Sequence, residues 1–187
     1  TNKNMKKIIG IIFLSTFINV EAQTSLDFDG VNEYVSTTYA GILENNARTV
    51  EFWFKTSDTG PKVFIEWGTQ LDAQRYSIIL NSTNNLRVEV FGSGVNGTSI
   101  INDNVWHHCS VGYDPTAIPS VAIYLDGNLE STGNFHTPLN TTNSANVAIG
   151  GGDLVNSIRY IDAEMDEVRI WNNTKTVPNI RNGMFHE

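Results

Sequence analysis

Short segments in which apolar and polar residues alternate recur along the chain, each bounded by turn residues. A period of two buries one face of a β-strand and leaves the other face in water. Because the sequence shows no long helical stretch to cover such strands, their apolar faces must pack against each other, in a β-sandwich or a barrel. The clearest segments are TVEFWFKT at 49–56, VWHHCSVGYD at 105–114, VAIYLDGNLE at 121–130 and MDEVRIWN at 165–172.

Weaker segments continue this series and are separated by turns rich in Asn and Gly. Asp126-Gly127 is the strongest hairpin signal, because both residue types tolerate positive φ. Residues 176–185 predict a short helix, and residues 41–48 predict a polar connection. We expect further strands at 63–68, 75–80, 86–92, 98–101 and 147–151, and two short strands around Asp29-Gly30 within 25–37.

Residues 1–22 consist of a few upstream residues followed by the pattern of a secretory signal peptide. Lys6 and Lys7 precede an apolar run at 8–18, and Ala22 supplies a small residue at the cleavage position. The alternative, a membrane anchor, needs roughly 20 apolar residues, whereas this run has about 11. We therefore predict cleavage after Ala22, a bacterial source, and export of residues 23–187 as one domain, as part of a larger secreted protein.

The chain is acidic and holds a single cysteine. Its formal net charge is −8, and such a surface repels phosphate backbones, which argues against a nucleic-acid partner. The same acidity suits calcium, although acidic surfaces also serve solubility. Cys109 lies in a strand pattern beside Val111, so we expect it to pack as a small hydrophobe, and a lone cysteine excludes an internal disulfide.

Together, these segments resemble the laminin-G-like jellyroll domains of the concanavalin A-like lectin/glucanase superfamily. They occur in the order found in that family and cover roughly residues 25–182. The resemblance implies two antiparallel sheets stacked face to face, which agrees with the all-β pattern and adds a topology. Members bind glycans, proteins or lipids, or serve as spacers, so function has to be inferred from sites. The matching segments are LDFDGVNEYV, TVEFWFKT, WHHCSVGYD, IYLDGN, VAIGG and MDEVRIWN.

The resemblance also implies a structural calcium ion. Members that hold one often use an acidic residue from the first strand and another from the last strand, which run close together. Asp29 and Asp166 match these positions, with Asn32 as a further ligand, and calcium favours such oxygen donors. The alternatives are that Asp29 caps a turn and that Asp166 pairs with Arg169.

The carboxylate pattern argues against a glycoside hydrolase. The glucanases that the chain resembles carry Glu-x-Asp-x-Glu on one strand, where alternation points all the carboxylates into one cleft. The nearest stretch here is 164–169, in which Glu167 follows Asp166 directly, and Val168 and Arg169 occupy the positions of the second glutamate. We predict a protein without enzymatic activity, with a hydrolase or lyase as the alternative.

The polar faces of the strands offer a candidate sugar site. Sugars stack on aromatic rings and form hydrogen bonds with polar side chains that reach their hydroxyl groups. If the candidate residues fall on one sheet, they form a shallow groove; alternatively they are packing residues, with Trp53 beneath a loop. Rim loops at 93–98, 136–143 and 151–157 are equally good candidates. The predicted ligand-binding residues are Trp53, Glu66, Arg87, Glu89 and Tyr124, with Phe91 beside them.

These observations predict a secreted, non-enzymatic recognition module that binds a glycan or another extracellular partner such as a protein. A structural or adhesion spacer on the same fold is a further alternative. Polar faces without an aromatic cluster or a concavity would favour the spacer, whereas a groove lined by the predicted residues would favour binding.

Overall fold

The computed structural model of the chain describes residues 25–152, 154 and 159–185. The predicted signal peptide lies outside the described residues. Within them the chain forms twelve strands and one short helix, and no described helix is long and apolar enough to cross a membrane. The elements are β1 (Leu26–Asp29), β2 (Val35–Ser36), β3 (Arg48–Lys55), β4 (Lys62–Gly68), β5 (Arg75–Leu80), β6 (Leu86–Val90), β7 (Ser93–Asn96), β8 (His107–Tyr113), β9 (Val121–Leu125), β10 (Asn128–Gly133), β11 (Ala148–Ile149), β12 (Asp162–Trp171) and α1 (Val177–Gly183).

The strands form two antiparallel sheets of six strands each. Sheet A has the order β1-β12-β3-β8-β9-β10, and sheet B has the order β2-β11-β4-β5-β6-β7. The first and last strands are neighbours in sheet A, where Leu26 stands opposite Met165. The predicted two-sheet antiparallel β-sandwich is confirmed.

Apolar side chains of both sheets meet in the layer between them. In β3, Val50, Phe52 and Phe54 point inward and are fully buried, as the alternation predicts. The rings of Phe52 and Phe54 have their centroids 5.4 Å and 4.8 Å from that of Phe64, which belongs to sheet B. Aromatic pairs favour separations in this range. Cys109 is also fully buried in this layer, which confirms its predicted role as a small hydrophobe.

Two turn predictions have different outcomes. Asp126 and Gly127 have φ values of 50° and 70° and close the hairpin between β9 and β10, as predicted. The strand predicted at 98–101 is wrong, since the strand of this region is β7, within a segment predicted as a rim loop. The reason is Gly92, whose φ of 91° reverses the chain directly after β6, so that Ser93 already pairs back onto that strand.

The predicted C-terminal helix is confirmed, and it covers part of the outer face of sheet A. Its N-cap is Thr176, whose hydroxyl accepts a hydrogen bond from a backbone N–H of the first turn. Ile180 is buried, and the carbonyl of Met184 accepts a hydrogen bond from the Trp53 indole at 3.1 Å. His108, opposite Trp53 in the sheet, is only 2% exposed although it points away from the core.

A buried arginine ties the loop before β3 to the core. Arg48 is fully buried, and its guanidinium donates to the backbone carbonyls of Ile42, Glu44 and Asn46. It also donates to Thr141 Oγ1 at 3.0 Å and faces three aromatic rings. Burial lowers the pKa of Arg48 to about 10, so the side chain remains charged at neutral pH. Carbonyl dipoles and ring faces stabilise that charge.

We expect Phe54→Ala to lower the free energy of unfolding by about 3–5 kcal/mol, because it removes a fully buried ring from between the sheets. Phe185→Ala is the matched control, since that ring is 77% exposed and its loss should cost less than about 1 kcal/mol. Urea unfolding followed by tryptophan fluorescence measures both variants. Equal losses in the two variants would contradict this description of the core.

Burial lowers the pKa of His108 from 6.5 to about 4. Between these values the unfolded chain binds more protons than the folded chain, so the contribution of His108 to stability falls as the pH falls. We expect lowering the pH from 6.5 to about 5 to cost the wild type roughly 1.5 kcal/mol more than it costs His108→Gln. Urea unfolding of both proteins at both pH values measures the difference, and parallel pH profiles would refute it.

Candidate functional site

The structure does not bring all five predicted ligand-binding residues together. Trp53 of β3 and Tyr124 of β9 lie in sheet A, whereas Glu66 of β4 and Arg87 and Glu89 of β6 lie in sheet B. The alternation within a strand shows which side chains share a face, but it does not show which sheet the strand joins. Only the three charged residues share one surface, the outer face of sheet B.

On sheet A, Trp53 packs beneath the C-terminal segment. Its indole N–H is bound by the carbonyl of Met184, and its ring lies 5.3 Å from the ring of His108 and 6.0 Å from that of Phe185. The alternative role for Trp53, packing under another segment, is therefore the one that the contacts support. Tyr124 is half-buried on the same outer face.

A cavity of about 410 Å³ lies on this face of sheet A, beside α1. Glu51 lines it, and the Trp171 indole N–H donates to Glu51 Oε2 at 2.6 Å. Burial raises the pKa of Glu51. Lys175 Nζ lies 3.5 Å from the centroid of the Trp171 ring, so the main aromatic and cationic groups of this cavity already have partners within the protein.

The outer face of sheet B carries a row of buried polar side chains. Glu66, Ser77 and Glu89 stand opposite one another on β4, β5 and β6, and Arg75 lies two residues before Ser77 on the same face. Glu66 and Ser77 are fully buried, and Arg75 is 2% exposed. Burying polar groups costs free energy unless they form hydrogen bonds, so the partners of these side chains decide what the row can do.

Three guanidinium groups converge on the Glu89 carboxylate. Arg87 Nε lies 3.2 Å from Oε2, Arg159 Nη1 lies 3.4 Å from Oε1, and Arg75 also donates to Oε1. Arg87 donates in addition to Asn96 Oδ1 at 2.9 Å. Burial lowers the pKa of Arg75, which the negative charge of Glu89 partly offsets. The outer face of sheet B therefore holds a charge-dense cluster that is only partly open to water.

Glu66 lies beside this cluster with an incomplete set of hydrogen bonds. Its Oε2 accepts a hydrogen bond from Ser77 at 3.4 Å. Glu66 Oε1 and Arg75 Nε are buried and have no hydrogen bond of normal geometry within the described part of the chain. Burial raises the pKa of Glu66, which the positive charge of Arg75 partly offsets. A backbone hydrogen bond from Leu154 also lowers the pKa of Glu66. Buried polar atoms without a partner are rare in folded proteins.

Two shallow cavities open onto this row, one of about 330 Å³ and one of about 230 Å³. Phe91 is 41% exposed at the edge of the larger cavity, which places an aromatic ring beside the charged groups. The larger cavity is lined by Arg75, Arg87, Glu89, Phe91, Ser93 and Arg159, and the smaller one by Tyr34, Ser36, Glu66, Ala148 and Leu154.

Sequence reasoning missed Arg75 and Arg159. Arg75 could have been found, because it alternates with Ser77 in the predicted strand RYSIIL and therefore shares its face. Arg159 lies in the connection between β11 and β12, where no periodicity predicts the direction of a side chain.

The rim loops contribute less than the sheet face. The segment 93–98 contains β7, and its Ser93 lines the larger cavity. In the segment 136–143, His136 pairs with Asp72 at 3.1 Å. The segment 151–157 lies partly outside the described residues.

The predicted calcium ligands are not brought together. Asp29 stands opposite Asp162, and its Oδ1 accepts a hydrogen bond at 2.9 Å from the backbone N–H two residues later, which caps a turn. Asp166 lies on β12 four residues beyond Asp162, which is roughly 13 Å at about 3.3 Å per residue. Asn32 is exposed in the turn after β1. In the part that the structure describes, no group of three His, Cys, Asp or Glu residues could hold a metal, and Asp29 and Asp166 do not fit one ion.

The carboxylates at 164–167 make structural contacts. Glu164 pairs with Lys55 at 2.8 Å, and Glu167 pairs with Arg169. A bulge lies between Asp166 and Arg169, where Glu167 has a φ of 52°. This stretch therefore does not present the row of carboxylates on one strand face that the hydrolase alternative requires.

Several solved structures share this fold. A proposed carbohydrate binding protein from Bacteroides ovatus aligns with 84% of this chain at 19% identity and a TM-score of 0.67, and this chain spans only 45% of that protein. Domain 4 of an extracellular GH43 arabinanase from Geobacillus stearothermophilus, in complex with arabinotriose, aligns over 84% of this chain and 75% of its own length, at 18% identity and a TM-score of 0.64. The CBM40 of the Ruminococcus gnavus IT-sialidase, bound to alpha2,3 sialyllactose, aligns over 86% and 96%, at 11% identity and a TM-score of 0.66.

A search of curated protein sequences gives no match. A laminin G family model, described as the Concanavalin A-like lectin/glucanases superfamily, matches residues 29–181. The two six-stranded sheets and the pairing of the first strand with the last agree with the topology that the sequence resemblance implied. The chain therefore belongs to the laminin-G-like domains of the concanavalin A-like lectin/glucanase superfamily.

Proposed function

We propose that the chain is a secreted, non-enzymatic recognition module that binds carbohydrate on the outer face of sheet B. The observation that carries this proposal is the row of polar and charged side chains beneath two cavities, beside which Arg87 and Arg159 stay partly exposed next to the ring of Phe91. A ligand rich in hydroxyl groups would bind the remaining donors of these two guanidinium groups, because each hydroxyl oxygen accepts hydrogen bonds.

Phe91 supports a sugar over other polar ligands. Its ring is exposed at the edge of the larger cavity. Carbohydrates combine hydroxyl groups with C–H faces that pack on aromatic rings. The cavity volume of about 330 Å³ lies at the small end of typical ligand sites, so we expect one or two sugar units to make the main contacts.

The structural relatives support the same class of ligand at a coarser level. Two of them were solved with a bound oligosaccharide, and both are modules of larger secreted or glycan-directed enzymes by their descriptions. Their low identity does not transfer a ligand to this chain. Export is proposed on the separate ground of the signal-peptide pattern at 1–22.

A glycoside hydrolase on the same fold is the alternative activity. Glu66 and Glu89 share the outer face of sheet B two strands apart, which separates their backbones by about 9.6 Å. Glu89 is engaged by three arginines, so its carboxylate is not available as a nucleophile or base. If the protein releases reducing ends from a polysaccharide, and if Glu66→Gln abolishes this release, the enzyme is favoured over the binding module.

A folded extracellular protein and a pure spacer role are the remaining alternatives. Small concave cavities lined by buried polar atoms suit a sugar unit better than the flat surface of a folded partner. A spacer role would give no reason for the exposed ring of Phe91 to lie beside the arginine cluster in one cavity.

We expect Phe91→Ala to weaken glycan binding about tenfold, because it removes a ring on which a sugar can stack. The fold should be unaffected, since the ring is already exposed. Phe185→Ala, an exposed phenylalanine on the side of sheet A, is the matched control and should bind as the wild type does. A glycan array identifies the ligand, and calorimetry with the best binder measures the affinities. Equal affinities of the two variants for the glycan would show that Phe91 does not contribute to binding.

We propose calcium binding only on the family resemblance, and the geometry separates its predicted ligands. If an ion is bound near the turn after β1, calcium should raise the melting temperature of the wild type and of Asp166→Ala, but not that of Asp29→Ala. Thermal unfolding in excess calcium and in excess chelator measures this. Identical melting curves in the two solutions for the wild type would defeat the proposal of calcium.

A further inference from the structure

The arginine cluster on the outer face of sheet B carries more positive charge than its carboxylate can neutralise. Within the described residues, the ion pairs of Arg75, Arg87 and Arg159 all go to Glu89. Three guanidiniums offer about fifteen N–H donors, whereas one carboxylate offers about four acceptor sites. Most donors of the cluster are therefore left for water or for a ligand.

The neighbouring side chains do not remove this excess. Glu66 adds one carboxyl group, but burial raises its pKa and so disfavours its charged form. Even with Glu66 and Glu89 both ionised, three arginines leave a net positive charge at this point of a chain whose total charge is −8. Asp72 lies near the edge of the larger cavity and contacts His136, but its side chain is 62% exposed, so water screens its charge from the cluster.

The excess charge is placed where a ligand can reach it. The side chains of Arg87 and Arg159 are 24% and 23% exposed and line the larger cavity, whereas the Arg75 side chain is 3% exposed. Arg75 Nε is buried without a partner. An anion in the cavity would meet two accessible guanidiniums, with a third, desolvated one beside them that favours negative charge because little water screens it.

The backbone is shaped to hold one of these arginines in place. Gly94 stands opposite Glu89 on the edge strand β7, and a Cβ there would lie 2.5 Å from Arg87 Nη2. A Cβ at that position would also lie 2.7 Å from the carbonyl oxygen of Val88. The absence of a side chain at Gly94 therefore leaves the space in which the Arg87 guanidinium lies against the sheet.

We infer that the larger cavity recognises the carboxylate of an acidic sugar residue, such as a uronic or sialic acid, within the glycan of the proposed function on which this inference rests. Planar guanidinium groups match a planar carboxylate through paired hydrogen bonds. The sugar ring packs on Phe91, and its carboxylate binds Arg87 and Arg159 in competition with Glu89. A neutral sugar would leave the surplus donors of the cluster without an ionic partner.

The test compares matched ligands that differ in one acidic group. Calorimetry is performed with digalacturonic acid against the neutral galactose disaccharide, and with sialyllactose against lactose. We expect at least one acidic member to bind about tenfold or more tightly than its neutral partner, because hydrogen bonds between two charged groups are stronger than those between neutral groups. High salt should weaken the acidic member only.

Variants assign the effect to the cluster. We expect Arg87→Gln and Arg159→Gln each to lose about tenfold in affinity for the acidic ligand, with little change for the neutral one. Both side chains are partly exposed, so the fold should persist, and melting curves check this. Arg181→Gln, on α1 against sheet A, is the matched control. Gly94→Ala should lower the affinity for the acidic ligand at least as much as Arg87→Gln, because it displaces the Arg87 guanidinium and also crowds the Val88 carbonyl.

The outcomes separate this inference from the proposed function. Neutral and acidic ligands that bind equally tightly, in a manner sensitive to Phe91→Ala, would overturn the inference and leave the carbohydrate module standing. Binding of a sulfated galactose disaccharide as tight as that of the carboxylated one would overturn the assignment to a carboxylate. A folded protein that binds none of these sugars and no glycan on an array would overturn both proposals.

Discussion

The contact between aromatic rings of the two sheets is the constraint on which the rest of the structure depends. Phe52 and Phe54 from sheet A meet Phe64 from sheet B in the layer between the sheets. Side chains alternate along a strand. When every second side chain packs into this layer, the side chains between them must point away from the core. Glu66 and Glu89 reach one surface because apolar residues on either side of them are buried. A slip of one residue would instead turn the carboxylates towards the rings.

The alternation of residues predicted the strands and their faces well, because that pattern is local. It succeeded for the inward and outward faces of β3, and for the hairpin at Asp126-Gly127, whose two strands are neighbours in sequence. It failed for β7, because the predicted strand 86–92 ran through Gly92, where the chain reverses, and the residues after it were predicted as a rim loop. Which sheet a strand joins depends on partners that are distant in sequence. β3, for example, pairs with β8 and β12, and the sequence of β3 alone does not identify these partners.

The alternation predicted only part of the candidate site, because it shows the face of a strand on which a side chain lies but not the sheet to which the strand belongs. Glu66, Arg87 and Glu89 were found because each stands at an outward position of a strand. Trp53 stands at an equivalent position but in the other sheet, beneath the segment after α1. Arg159 comes from a connection, and only the folded chain brings it to Glu89. The density of charge on sheet B thus arises from four separate parts of the sequence, namely β4, β5, β6 and the connection before β12, which is why spacing alone does not reveal it.

Arg48 holds the loop before β3 against the core through contacts that do not depend on pH in the mildly acidic range. Its partners are peptide oxygens, a hydroxyl and ring faces, and none of these gains a proton in mildly acidic water. A surface ion pair such as Lys55–Glu164 weakens once its carboxylate is neutralised. The loop before β3 should therefore keep its conformation in an acidic medium, in which the surface carboxylates of the same molecule become protonated and lose their charge.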